Sequence, residues 1–201
     1  MVIRLLQGLR RRPSAEPAEL ETFLARQAAY VAQKTVLDYC RVKVGRAERE
    51  AFADPDFQAA LQHCRWQTFA ASVQDVTAML EAWLRPHAPG REPALAAALS
   101  AMAGAVLDSA PAPAEERPTL DAAREALPHH LGVLQAVPPE PADRMPLLAE
   151  GPLFATLPIP PEQRIGETPS IKGSLRFHFV AVQGELERRF DAAALAARLT
   201  G

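Results

Sequence analysis

Residues 17–44 read PAELETFLARQAAYVAQKTVLDYCRVKV, and the fold follows from how this stretch is read. Pro17 stands at the first-turn position that helices favour, with Glu19 and Glu21 behind it. Arg41 and Lys43 close the stretch and Gly45 follows. Acid at the start, base at the end and glycine beyond it complement the unpaired backbone groups and dipole of one helix. At 1.5 Å per residue that helix is about 40 Å long. Leu20, Phe23, Leu24, Tyr30, Val31 and Leu37 form one broad apolar stripe, widened by Val36, Tyr39 and Cys40. A helix apolar over so much of its surface is packed on several sides.

Working outward, Asp54-Pro55-Asp56 starts a second helix with an Asp cap and proline at the first helical position. Phe57, Leu61, Cys64, Phe69, Val73, Val76, Leu80 and Leu84 keep helical spacing until Pro86. The short link, in which residues 46–52 can form a helical turn, makes 17–44 and 55–84 an antiparallel pair. An alanine-rich third helix runs from Pro93 to about Ser109, and PAPAEERPT then reads as a loop. Thr119 is expected to cap a fourth helix that Pro128 interrupts. The expectation is an all-α helical bundle in a single domain.

Thirteen of the 19 prolines fall between Pro111 and Pro169, so the texture of the chain changes there. Residues 138–169 show no stable helical period, yet Leu147, Leu148, Leu153, Phe154, Leu157 and Ile159 are too apolar for a disordered linker. They read as a proline-rich strap over the bundle. Residues 170–201 read as a C-terminal helical segment. LRFHFVAV also alternates as a strand would, but a lone strand leaves its backbone unsatisfied, which favours helix. Asp191 caps a last short helix. Residues 1–16 are a basic lead in which Val2, Leu5, Leu6 and Leu9 fall at helical spacing; it reads as a frayed or docking terminal turn, or less simply as a peripheral membrane foot, and the segment before Ser14 is expected to be dispensable for folding.

The 201 residues carry 22 Lys and Arg against 24 Asp and Glu, a net charge of −2. That balance gives no footprint for nucleic acid. No apolar run is long enough to span a membrane, and no secretion signal is visible. Two cysteines make no disulfide framework, and together with an alanine-, arginine- and proline-rich composition they suggest a bacterial cytoplasmic protein. Cys40 and Cys64 would lie at the same level of the helix pair and are expected to be reduced, buried and free of metal. No His-x-x-x-His pair or Glu-x-x-His motif, no G-x-S-x-G and no phosphate-binding glycine loop occurs, so no catalytic residue and no cofactor is expected.

Two stretches remain as candidate sites. Lys34, Asp38 and Arg41 form a charged stripe at i, i+4 and i+3 spacing, which Arg65 could join and which would face solvent, a cleft or a partner. Arg164, Thr168, Ser170, Lys172, Ser174 and Arg176 surround a helix start with cations and hydroxyls, as an anion site would. Charge reversal of Lys172 and Arg176 is expected to spare folding. The expected function is that of an adaptor, assembly factor or regulatory subunit acting through a protein partner. The alternative is a bundle with an internal pocket for a small anionic ligand, possibly an enzyme.

Overall fold

A computed structural model describes residues 13–201. Among these residues the chain forms helices α1 (Pro17–Val44), α2 (Glu48–Ala51), α3 (Pro55–Leu84), α4 (Glu92–Ser109), α5 (Arg117–Gln135), α6 (Glu150–Thr156), α7 (Thr168–Arg189) and α8 (Ala192–Thr200), and no strand. The all-α bundle is as expected. Cys40 lies beside Cys64, while Ala32, Ala29 and Ala25 line one groove with Arg65, Trp66 and Phe69. Numbers fall along α1 as they rise along α3, so the two helices are antiparallel. Asp54 caps α3 through its carboxylate, which accepts the Asp56 and Phe57 N–H groups. Asp191 does the same for α8 at Ala194.

The most enclosed element is α3 rather than α1. Every residue from Thr68 to Glu81 is buried, because α1, α4, α5, α6 and α8 all pack on this helix. Tyr30, read as part of the α1 apolar stripe, is 44% exposed instead. Buried side chains from α1 and from α3 through α8 form one apolar cluster, with Phe23 and Phe179 its largest fully enclosed members.

Several boundaries differ from expectation, each for a local reason. Thr119 does not cap α5. The helix starts at Arg117 after a 3-10 turn at Ala114–Glu116, so PAPAEERPT is largely helical. The Thr119 hydroxyl instead accepts from Gln67 of α3, at 2.7 Å. Pro128 does not interrupt α5, which runs through it. Proline removes one backbone hydrogen bond, and the burial of Leu120, Ala123, Leu127 and Leu131 along one face outweighs that loss. The strap is not devoid of periodic structure: it holds α6 and a 3-10 turn at Pro161–Arg164. Leu147, Leu153, Leu157 and Ile159 anchor it in the core, while Leu148 stays exposed.

LRFHFVAV lies inside α7. Its Leu175, Phe179, Val182 and Leu186 are buried at helical spacing. Gly166 has φ +79°, a left-handed turn that glycine adopts without strain and that lets the chain enter α7. At the other end of the chain, the Ser14 N–H donates to the Arg189 carbonyl and the Asp191 N–H to the Ser14 carbonyl. Residues 13–16 are thereby tied to the α7–α8 junction, while Val2, Leu5, Leu6 and Leu9 lie outside the described residues.

Candidate functional site

Polar side chains of α1 and α3 hold the ends of the outer helices. Asp75, fully buried in α3, accepts the Leu148 and Ala149 N–H groups at 2.8 and 2.9 Å, just ahead of α6. Burial pushes its pKa up to about 7. The two N–H donors and Arg176 pull it down, and Glu150 adds to the rise. Glu81, also fully buried, receives two hydrogen bonds from Arg85. Arg85 in turn donates to the Leu134 and Val137 carbonyls as α5 ends. Glu116, at the start of α5, is held by His63 and Gln67 of α3. Glu167, at the start of α7, receives the Tyr39 hydroxyl at 2.6 Å and pairs with Lys43, and both lower its pKa.

These contacts decide what the cations around the start of α7 do. Lys172 pairs with Glu150 at 2.5 Å. Arg176 donates to the Ala142 and Met145 carbonyls, at 2.7 and 2.5 Å, and approaches Glu150 at 4.0 Å. Arg164 donates to the Phe154 carbonyl, and its Nε is buried without a partner. Thr168 is the first residue of α7 and makes no capping bond; Glu167 occupies the cap position. Ser170 is exposed and Ser174 half-buried in the first turns. The cations of this segment thus grip the strap.

The stripe on α1 splits in two. Lys34 pairs with Asp38 at 2.6 Å, and Arg41 reaches across to Glu48 at 3.3 Å rather than back to Asp38. All four side chains are substantially exposed. Arg65 does not join them; it lines a groove between α1, α3 and the end of α4. Beside the stripe, α7 packs on α1 through His178, whose Nδ1 lies 2.9 Å from the Thr35 hydroxyl. Burial lowers the His178 pKa and favours the neutral ring, with Asp38 opposing and Lys34 assisting. The Tyr30 and Phe177 rings flank His178 at centroid distances of 5.7 and 5.9 Å. Phe177 is 68% exposed and Val180, one turn on, 43%. Tyr30 and Phe177 are thus uncovered aromatic side chains on either side of His178 along the α1–α7 seam, with Val180 exposed one turn beyond Phe177 on α7, and Arg26, Glu185 and Arg188 border a shallow depression beside Tyr30. The sequence placed Tyr30 in the α1 apolar stripe and showed Phe177 only within the strand-like alternation of LRFHFVAV, so neither was legible as a surface anchor.

Cys40 and Cys64 are both buried free thiols. Burial and the neighbouring Cys64 push the Cys40 pKa up to about 12, and burial raises that of Cys64. Thiols held so far from ionisation are poor nucleophiles at neutral pH. Among the described residues no three His, Cys, Asp or Glu side chains come together as a metal site, and no helix is long and apolar enough to cross a membrane. Comparison with known protein families, characterised proteins and solved structures finds no match to this chain.

Proposed function

We propose that the protein is a non-enzymatic helical adaptor or regulatory subunit that docks a protein partner on the α1–α7 seam. The observation that carries this reading is the exposure of Tyr30 and Phe177 on either side of His178, next to the Lys34–Asp38 pair. Protein interfaces combine aromatic anchors with a polar rim, and tyrosine is among the residues that dominate their energetics. Packing within the chain does not require Phe177 to be aromatic, since most of its surface meets solvent. Lys34, Asp38 and Arg41 serve as the rim in this reading, setting orientation and association rate more than affinity. The near-zero net charge supports a protein partner over nucleic acid. The two free cysteines support a reducing compartment, in this reading a bacterial cytoplasm.

The test is quantitative affinity purification with wild type and a Tyr30→Ala/Phe177→Ser double variant. Proteins that co-purify with wild type and are lost from a folded double variant support the seam as the contact surface. An unchanged set of co-purifying proteins refutes it.

A further inference from the structure

On the other side of α1, the groove that contains Arg65 has a composition the docking seam does not explain. Its volume is about 360 Å³, within the range of small-molecule sites. Ala25 and Ala29 of α1 give it a shallow wall, Trp66 and Phe69 of α3 an aromatic one, and the end of α4 closes it at Pro111. The two rings meet edge to face at 5.6 Å. Arg65 is the one charged residue among those lining the groove. Its guanidinium pairs with no carboxylate among the described residues, and its Nε is sealed from solvent without a hydrogen-bond partner. Gln33 and Gln62 add amide groups on either side.

An arginine left unpaired beside apolar walls is costly unless something completes it, because a buried donor without a partner keeps its full desolvation penalty. Elsewhere among the described residues the enclosed arginines are used. Arg85 is tied to Glu81 and two carbonyls, and Arg176 to two carbonyls and Glu150. Arg164 also keeps a buried Nε without a partner, but it bonds the Phe154 carbonyl through Nη1; Arg65 makes neither a hydrogen bond nor an ion pair among the described residues, and it lies where an apolar ligand body would fit. We propose that this groove is a binding site for a small organic monocarboxylate with an aromatic or aliphatic body. The carboxylate takes two parallel hydrogen bonds from the Arg65 guanidinium, the geometry this side chain favours. The body lies between Ala29 and Trp66, and Gln33 or Gln62 donates to a remaining carboxylate lone pair. Charge complementarity selects an acid over its uncharged amide, and the lack of a second cation disfavours di- and polyanions.

Trp66 provides the readout. In a Trp83→Phe background, its emission and the melting temperature are followed during titration with 4-phenylbutyrate and with decanoate, each against the corresponding amide. The expected result is saturable change with at least one acid and binding at least about tenfold weaker for its amide. Arg65→Gln is expected to remove that discrimination, and Ala29→Phe, on an exposed position that tolerates a larger side chain, to fill the groove and abolish binding of both. If neither acid binds, or if the Arg65→Gln protein still prefers the acid tenfold, the proposal is overturned. Binding that survives Ala29→Phe unchanged would place the ligand elsewhere and overturn it equally.

Discussion

Asp75 shows how one residue joins the core to the strap. Both carboxylate oxygens accept backbone N–H groups ahead of α6, yet desolvation outweighs those bonds and raises the pKa to about 7. The sign of the consequence follows directly. In the unfolded chain the group ionises near its ordinary value of 3.8, whereas in the folded protein it holds its proton until about pH 7. Its contribution to stability is therefore greatest below pH 4, declines as the pH rises through this window and is flat above it. Asp75→Asn presents an amide to one of the two N–H donors and leaves that donor unsatisfied, at a cost of about 1–3 kcal/mol. Urea unfolding of the two proteins between pH 4 and pH 8 is expected to show the gap between them narrowing as pH rises. A gap constant with pH would mean that Asp75 titrates as an ordinary carboxylate despite its burial, with Arg176 and the two N–H donors offsetting the desolvation. The role of Asp75 was not legible in the sequence. SVQDVTAMLEAW carries polar residues at positions that, on an amphipathic helix, would mark an outer face. In α3 there is no outer face along that stretch: Gln74 donates to the Ala123 carbonyl, Asp75 accepts from the strap and Glu81 from Arg85, while Thr77 bonds back to the Val73 carbonyl and the Ser72 hydroxyl is buried without a partner.

At the scale of elements, the helices with strong end signals were readable and the strap was not. Pro17, Asp54-Pro55 and Asp191 fix helix starts by local backbone chemistry, which operates whatever the tertiary context. Glu150–Thr156 is too short for a helical period to emerge, and its start is held by Asp75, some 70 residues away in sequence. The same dependence changes the expectation for the cations at the start of α7. Read as a sequence, Lys172 and Arg176 are dispensable for folding; in the structure they hold Glu150 and the carbonyls of residues 142 and 145. Arg176→Ala is expected to cost about 2–3 kcal/mol through loss of charged hydrogen bonds. Amide exchange should accelerate over residues 142–153 while the α1–α3 pair keeps its protection. Equal acceleration in both regions would show that the strap is not a separate cooperative unit.

At the scale of the molecule, a single apolar cluster connects the first long helix to the last. Phe179 is fully enclosed where α7 packs on the bundle, so Phe179→Ala is expected to destabilise the protein by about 3–5 kcal/mol. A loss below about 1 kcal/mol in the denaturation midpoint would mean that α7 is not integral to the core. Leu37, which the sequence placed in the apolar stripe, is only half-buried, and its truncation is expected to cost less. The bundle was legible because helical period and end signals agree along most of the chain. The seam and the groove were not, because each is made by residues of separate helices whose exposure depends on how those helices are rotated. Tyr30 and Arg65 have no sequence signature that separates a core position from an open one.

The central claim is that the α1–α7 seam receives a protein partner, and site-specific photocrosslinking tests it most directly. Benzoylphenylalanine placed at Phe177 keeps an aromatic body at an exposed position and should leave the fold intact. Irradiation in the native cell, with the same probe at the exposed Val133 as a control, is expected to give a discrete covalent adduct to one protein from position 177 only. Absence of any adduct from position 177, or the same diffuse labelling from both positions, would contradict the account.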